Sequence, residues 1–162
     1  MPGEDADWGS VNQRLRARSR RQILDRGWIR HLDWYREVDS TQNAAKRWLS
    51  SESNNSLLPA LFVADRQHAG RGRGEHSWWS PDGCLMLTLA IGADLLPPDS
   101  ACWPQLGPLV AVAVADCISH WLYSSDSTVE LTWPNDDFID RKKVAGILIE
   151  SGPGGSRCIG IG

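Results

Sequence analysis

A loop rich in glycine and arginine lies between two short apolar runs, and it constrains the fold more than any other part of the chain. The loop runs from Gln67 to Gly83, and the apolar runs on either side of it are 61–64 and 84–91. Short apolar runs bounded by glycine and proline are typical of buried strands. The sequence therefore predicts a strand from about 61 to 66, a long loop, and a second strand from 84 to 91.

Within that loop, glycines and arginines alternate from Gly70 to Gly74. Glycine lets the backbone come close to a ligand, and Arg71 and Arg73 each offer a planar set of donors that suits carboxylate or phosphate oxygens. Arginine-glycine repeats also occur in disordered RNA-binding segments, but those are longer and lie in low-complexity surroundings. The pattern favours an anion-binding loop over a purely structural turn.

The rest of the chain alternates between helical and extended patterns, and a long helix after the turn at 97–100 carries its apolar residues on one face, which predicts that it lies mostly in the core. The other predicted elements are a basic helix at 11–26, a strand at 28–38, a short helix that begins at Asp39-Ser40-Thr41, a strand at 129–133, a hairpin of 138–139 and 144–149 around Asp140-Arg141, and a last strand at 158–161. Together they predict an α+β fold with a mixed, mostly antiparallel sheet backed by helices. We divide the chain into a helical segment at 1–27 and one domain at 28–162.

Composition limits the class of protein. With 162 residues and 41% hydrophobic content, the chain can bury one ordinary core. A net charge of −3 gives no general electrostatic footprint for nucleic acid. No uninterrupted apolar run reaches the roughly 20 residues of a membrane span, and the acidic start does not resemble a signal peptide. We therefore expect a cytoplasmic protein that binds neither DNA nor membranes.

The four cysteines are far apart and form no CxxC pair, so neither a zinc site nor a disulfide framework is indicated. Cys84 and Cys117 lie in apolar runs. We expect both to be buried small hydrophobic residues.

Five motifs follow one another along the chain: Asp39-Ser40-Thr41, the loop from Gly70 to Trp78, Trp133-Pro134-Asn135-Asp136, the segment from Lys143 to Leu148, and Gly160-Ile161-Gly162. Their order and spacing resemble those of the biotin protein ligases. Each motif alone is modest, but five in the same order argue against a chance match. The resemblance covers roughly residues 30 to 162.

The resemblance implies the class II synthetase-like catalytic fold of biotin and lipoate ligases. It further implies ATP-dependent activation of biotin to biotinyl-5′-AMP, followed by transfer of biotin to a lysine of a biotin carboxyl carrier protein domain. ATP and biotin are then substrates, and Mg²⁺ accompanies the nucleotide. Pairing of two chains through an exposed sheet edge is left open.

The resemblance also assigns roles to residues, with Arg71, Arg73 and Lys143 as the catalytic cations. The implied biotin-binding residues are Ser40, Thr41, Gln42, Gln67, Gly70, Arg71, Gly72, Arg73, Lys143 and Gly146. The implied ATP-binding residues are Arg71, Arg73, Trp78, Asn135, Asp136 and Lys143, and Asp136 is the implied magnesium ligand.

The residues by themselves leave structural alternatives open. Lys143 fits a polar hairpin, and Ser40 with Thr41 fits a helix cap. Asn135-Asp136 fits a turn after proline, and Gln67 fits an ordinary surface position.

Three departures from the family pattern stand out. Glu75 and His76 replace a glycine and an arginine of the loop, Thr132 replaces a lysine, and Gln42 stands where asparagine is common. Glu75 would oppose a triphosphate by like-charge repulsion if it faced the ligand, and would matter little if it faced solvent.

The chain stops in what reads as an unfinished strand, and only one helix precedes the first strand. We therefore expect a catalytic domain that is truncated at its C-terminus, lacks a DNA-binding domain and transfers biotin poorly. Two other functions remain as alternatives: a lipoate or octanoate transferase of the same fold, and a catalytically impaired fragment that binds biotin without turnover.

Overall fold

A seven-stranded sheet forms the centre of the computed structural model, which describes residues 8–122 and 127–162. Residues 1–7 of the predicted helical segment lie outside the described residues. The strands are β1 (His31–Tyr35), β2 (Ala60–Ala64), β3 (Met86–Ile91), β4 (Val129–Thr132), β5 (Asp136–Ile139), β6 (Lys142–Ser151) and β7 (Arg157–Ile161). Their order across the sheet is β1-β2-β3-β7-β6-β5-β4. Only the β1–β2 pair is parallel among these neighbours, which confirms the mixed, mostly antiparallel sheet of an α+β fold.

Three α-helices accompany the sheet. They are α1 (Trp8–Asp25), α2 (Thr41–Leu49) and α3 (Leu106–Trp121), and short 3₁₀ segments lie at Glu52–Leu57, Ala93–Leu95, Ser100–Gln105 and Pro153–Gly155. After α1 the chain turns at Gly27, whose φ of 78° lies in the left-handed region that glycine favours. The helix therefore stops where the sequence predicts.

Helix α2 packs against β2, β3 and β7, and its first turn positions part of the candidate site. Ser40 caps the helix by accepting a hydrogen bond from the backbone N–H of Gln42. Ala44, Ala45 and Leu49 of this helix are buried in the core. Because small and branched apolar residues face the sheet at helical spacing, the polar residues at the start of α2 are held directly over the strands.

A tight turn joins β5 to β6 and places the lysine-rich start of β6 beside β5. Asp140 and Arg141 adopt φ values of 48° and 65°, the left-handed conformation of a two-residue hairpin turn. The pairing shifts between Asp137 and Phe138, as in a β-bulge. The hairpin predicted around Asp140-Arg141 is confirmed.

Helix α3 departs from the prediction that it lies mostly in the core. Of its residues only Ala111 is buried, while Leu109 is 64% and Trp121 is 82% exposed. The helix packs against β4, β5 and β6 on one side, and its other side faces solvent. By length and composition alone, the segment Ser100–Trp121 could also cross a membrane, although proline, glycine and glutamine residues interrupt its apolar runs.

Two of the cysteine predictions are wrong. Cys84 is exposed because β3 begins only at Met86, so Cys84 belongs to the loop, and Cys117 is exposed on α3. Cys158 on β7 is buried instead, and burial raises the pKa of its thiol to about 11.

The core under α2 provides a test of the packing. The fully buried ring of Phe62 lies 5.6 Å from the ring of Trp48, in an edge-to-face arrangement. We expect Phe62→Ala to lower the free energy of unfolding by about 3–5 kcal/mol, because it removes a large buried side chain and leaves a cavity. Denaturant titration measures this loss. The control Leu95→Ala, at a position 55% exposed, should change the free energy by no more than about 0.5 kcal/mol, and equal effects would contradict the proposed core.

Candidate functional site

One large cavity brings the predicted site residues together. Its volume is about 1600 Å³, and every residue that the resemblance assigns to the site lines it except Gly70. Its apolar walls are formed by β3, β6, β7 and α3, and include Leu87, Leu89, Val114, Ile147, Ile159 and Ile161. Apolar walls with a few polar groups are typical of small-molecule sites.

The glycine-arginine loop folds back on itself as a small irregular hairpin. Arg71 pairs with Ser77 in an isolated β-bridge, and the N–H of Trp78 donates to the carbonyl of Gly70 at 2.8 Å. A Cβ atom at Gly70 would lie 2.7 Å from the carbonyl oxygen of Trp78, so this position accepts only glycine without a shift of the backbone. Glu75 is exposed at the tip. The loop thus presents its two arginines from a defined backbone.

The guanidinium of Arg71 is anchored between α2 and β6. It donates to Oδ1 of Asn43 at 3.0 Å and to the carboxylate of Glu150, and Lys46 Nζ lies 3.0 Å from the same carboxylate. Burial by itself would raise the pKa of Glu150, but the ammonium of Lys46 and the guanidinium of Arg71 outweigh burial and lower it. The sequence motifs assign no role to Glu150, which lies two residues beyond the segment from Lys143 to Leu148.

The other two cations have partners of their own in adjacent residues. Arg73 donates to Oδ1 of Asn135 at 3.1 Å, and Lys143 Nζ lies 2.7 Å from Oδ2 of Asp136. The amide nitrogen of Asn135 donates to the carbonyl of Ile147 at 2.7 Å, which fixes its oxygen toward Arg73. Asn135 therefore positions Arg73, and Asp136 positions Lys143.

The indole ring of Trp78 packs against the backbone of two neighbouring strands. Added Cβ atoms at Gly146 and Gly162 would lie 2.9 Å and 2.7 Å from this indole, so both glycines make room for it. Lys143 Nζ lies 5.2 Å from the centre of one indole ring, within cation–π range. The Nε1 atom of Trp78 is buried and has no hydrogen-bond partner among the residues that the structure describes.

Thr41 and Gln67 form the polar end of the cavity. The backbone N–H of Thr41 donates to Oε1 of Gln67 at 2.7 Å, and the hydroxyl of Thr41 lies 3.0 Å from the same oxygen. The amide nitrogen of Gln67 lies 3.4 Å from the hydroxyl of Ser80. These contacts set the orientation of the Gln67 amide, with its oxygen toward α2.

Gln42 lines the cavity but is engaged by the protein. Its amide nitrogen donates to the carbonyls of Leu148 and Cys158 at 3.1 Å each, and its oxygen accepts from the hydroxyl of Thr88 at 3.0 Å. Gln42 therefore ties α2 to β6, β7 and β3, and direct contact with a ligand would require one of these bonds to open. Sequence reasoning missed Thr88, although the alternation of buried residues along Met86–Ile91 makes it the polar member of an inward-facing set.

A metal at this site would have few protein ligands. In the described parts of the chain, no group of three or more His, Cys, Asp or Glu residues could hold a metal ion. Asp136 has one oxygen beside Lys143 and a second, buried oxygen that no described residue contacts by a hydrogen bond. One carboxylate is compatible with Mg²⁺ whose other ligands are phosphate oxygens and water.

Asp137 is a buried carboxyl group on the neighbouring position of β5. It is fully buried, and neither carboxyl oxygen has a hydrogen-bond partner among the described residues. Burial, and to a smaller extent the charge of Asp136, raises the pKa of Asp137. In the described ranges 8–122 and 127–162, no contact offsets the cost of burying this group.

Comparison with known proteins places these features in a family. The model of the biotin/lipoate A/B protein ligase family matches residues 34–161. The bifunctional ligase/repressor BirA of Bacillus subtilis is 36% identical over 121 residues, which are 74% of this chain and 34% of that protein.

Solved structures agree in fold. The biotin protein ligase of Leishmania major in complex with biotinyl-5-AMP superposes with a TM-score of 0.69 at 28% identity, covering 81% of this chain and 56% of the other. The biotin protein ligase of Aquifex aeolicus in complex with biotin and ATP gives a TM-score of 0.65 at 30% identity, covering 81% and 50%. The chain thus spans about a third to a half of the length of these relatives.

The buried carboxyl of Asp137 makes stability depend on pH. With a raised pKa the folded state binds more protons than the unfolded state, so stability falls as pH rises above the ordinary carboxyl value near 4. We expect Asp137→Asn to raise the free energy of unfolding at pH 7 by about 1–3 kcal/mol, and by less at pH 4. Denaturant titration at the two pH values measures this. The control Asp116→Asn, on an exposed position of α3, should change little, and a destabilised Asp137→Asn variant at pH 7 would contradict the interpretation.

Proposed function

Because the chain belongs to the biotin/lipoate A/B protein ligase family, we propose that it activates biotin with ATP and passes biotin to a lysine of an acceptor protein. The observation that carries the proposal is one cavity lined by Arg71, Arg73 and Lys143, with apolar walls and a polar end formed by Thr41 and Gln67. That set of groups suits two anions and an apolar molecule with a polar ring. The Leishmania structure was solved with biotinyl-5-AMP, the product of this first step.

The first step is the attack of a biotin carboxylate oxygen on the α-phosphorus of ATP. A carbon–oxygen–phosphorus linkage forms, the bond between the α- and β-phosphates breaks, and pyrophosphate leaves with the electron pair. Both reactants are anions and repel each other in the absence of cations. Preorganised donors beside a cavity of low polarity stabilise the transferring phosphoryl group more strongly than water does.

The three cations that would stabilise the phosphoryl group are held by side chains of different charge. Lys143 is paired with the carboxylate of Asp136, while Arg73 is held by the neutral amide of Asn135, so Arg73 keeps a full uncompensated charge at the cavity. Arg71 shares the carboxylate of Glu150 with Lys46, which leaves a net positive charge on that cluster. We propose that ligand oxygens contact all three cations, with Arg71 closing over biotin and the phosphates.

Biotin would lie along the apolar walls, with its ureido ring at Ser40, Thr41 and Gln67. Ser40 and Thr41 are almost fully buried, so their polar atoms are shielded from water and discriminate strongly between ligands. Gly70, Gly72 and Gly146 would contribute close backbone contacts. The same buried groups find no counterpart in the dithiolane ring of lipoate, which has neither N–H nor carbonyl.

The nucleotide would lie beside Trp78, Asn135 and Asp136. Stacking on an indole is a common way of holding adenine. Asp136 is the residue that would hold Mg²⁺. When bound, the ion would neutralise part of the negative charge of the triphosphate.

In the second step a lysine amine of the acceptor attacks the carbonyl of the mixed anhydride. An amide bond forms, AMP leaves, and the amine loses a proton to solvent. We propose a biotin carboxyl carrier protein domain as the acceptor, in keeping with the family to which the chain belongs.

Removal of the lysine charge tests the first step. We expect Lys143→Ala to lower the rate of biotin-dependent pyrophosphate release at least about a hundredfold, because a charge that faces the transferring phosphoryl group is lost. Arg71→Ala should act in the same direction. Lys142→Ala, at the exposed adjacent position of β6, is the matched control and should retain most of the rate. A wild-type rate in Lys143→Ala would overturn the assigned role of this residue.

The choice of substrate is tested by binding. We expect calorimetry to show that the protein binds biotin at least about a hundredfold more tightly than lipoate, because the dithiolane ring of lipoate offers neither a donor nor an acceptor to the polar groups at Thr41 and Gln67. Tighter binding of lipoate would instead support a lipoate or octanoate transferase. Formation of biotinyl-5′-AMP from biotin and ATP separates an enzyme from a protein that only binds biotin.

A further inference from the structure

Arg71 is held by two acceptors that belong to different elements of the fold. Its Nη1 atom donates to Oδ1 of Asn43 on α2 at 3.0 Å, and its Nη2 atom donates to Oε1 of Glu150 on β6. Arg71 lines the cavity, whereas Glu150 is not among the residues that line it. The two terminal nitrogens of one guanidinium are thus divided between a helix and a strand.

The amide of Asn43 can be oriented in only one way. Its nitrogen donates to Oδ2 of Asp39 at 3.0 Å, and Arg47 donates to both oxygens of the same carboxylate at 2.8 Å each. The hydrogen bonds from Arg47 hold the pKa of Asp39 well below its ordinary value, so this carboxylate is ionised at neutral pH and can only accept. Arg71 can only donate. The nitrogen of Asn43 must therefore face Asp39, and its oxygen must face Arg71.

The two oxygens of the Glu150 carboxylate have different surroundings. Oε1 accepts from Arg71 and lies 3.0 Å from Nζ of Lys46. Oε2 is buried and has no hydrogen-bond partner in the part of the chain that the structure describes. The amide nitrogen of Gln42 does not supply one, because it donates to two backbone carbonyls at 3.1 Å each. Glu150 therefore keeps an unused acceptor on the carboxylate that already binds Arg71.

The strongest arrangement of a guanidinium and a carboxylate is a bidentate pair, in which two parallel N–H groups donate to the two oxygens. Arg71 and Glu150 do not form it, because Asn43 engages Nη1. Lys46 further weakens the attraction, since it shares Oε1. If Nη1 were released, the guanidinium would turn to face both oxygens and would satisfy Oε2. This turn would move Arg71 toward Glu150 and away from a ligand in the cavity.

We propose that Asn43 is a positioning residue that keeps Arg71 at the cavity by preventing a bidentate pair with Glu150. Asp39 and Arg47 orient Asn43 for this role. The inference rests on the proposed function, in which Arg71 contacts biotin and the phosphates. Asn43 does not line the cavity and acts through Arg71.

A double-mutant cycle of Asn43→Ala and Glu150→Gln tests this role. We expect Asn43→Ala to lower kcat/KM for biotin about tenfold, measured by pyrophosphate release, because Arg71 then pairs fully with Glu150. Glu150→Gln in the Asn43→Ala background removes the charge that attracts Arg71, and should restore kcat/KM to within about threefold of the unmodified protein. Glu150→Gln alone should change kcat/KM by no more than about threefold.

The restoration distinguishes the proposed role from two simpler ones. If Asn43 only anchored Arg71, loss of the second anchor in the double variant would lower kcat/KM further. If Glu150 acted only through its charge on the ligand, Glu150→Gln would raise kcat/KM by the same factor with and without Asn43. Either result would overturn the proposal. Asn55→Ala, at an exposed asparagine outside the cavity, is the matched control and should keep kcat/KM within about twofold.

The position of Arg71 gives a readout that does not depend on activity. In a crystal structure of Asn43→Ala without ligands, we expect Nη1 and Nη2 of Arg71 to lie within about 3.2 Å of the two oxygens of Glu150. A guanidinium that stays on Oε1 alone, or that extends into solvent, would overturn the inference. If the unmodified protein releases no pyrophosphate with biotin and ATP, the proposed function fails, and this structure still decides whether Asn43 restrains Arg71.

Discussion

Positive charge from separate parts of the sequence is held at one cavity, and the rest of the site depends on how it is held. Arg71 and Arg73 come from a loop and Lys143 from a hairpin strand, and each has a partner: Glu150, Asn135 and Asp136 in turn. Cations without such partners would repel one another and extend into solvent. The three partners carry two negative charges, because Asn135 is neutral, whereas the three cations carry three positive charges. The cavity therefore keeps a net positive charge that suits anionic ligands.

The loop that carries the arginines is positioned by Trp78. Its indole lies against Gly146 of β6 and against Gly162, the residue that follows β7, and a side chain at either glycine would collide with the ring. The same ring lies under the ammonium of Lys143. One aromatic contact thus aligns the loop, two strands and a cation, while the buried amide of Gln42 ties α2 to the same strands from the other side.

Local sequence signals predicted the elements that are marked by turn residues, by helix-capping residues or by a regular spacing of apolar residues. The two-residue turn at Asp140-Arg141, the capped start of α2 at Ser40 and the glycine-rich loop all lie where they were expected. The predictions that proved wrong concern features that depend on tertiary packing. The apolar face of α3 predicts a core helix, but periodicity does not reveal which element covers that face, and one side of α3 is open to solvent.

The candidate site shows the same division. The sequence motifs select residues that line the cavity, with the exception of Gly70, because each motif carries its own residue types. They did not predict that Glu150 anchors Arg71 or that Thr88 joins Thr41 to Gln42, because these contacts connect residues distant in sequence through the pairing of strands. The early placement of Cys84 in a strand failed for a related reason, since strand ends are set by pairing with neighbours.

The most direct measurement is a crystal structure of the protein with a non-hydrolysable analogue of biotinyl-5′-AMP. The account predicts that nitrogen atoms of Arg71, Arg73 and Lys143 lie within about 4 Å of the phosphate or of the oxygens that link it to biotin. A ligand bound outside this cavity, or one bound inside it while all three cations stay on Glu150, Asn135 and Asp136 without touching it, would contradict the account.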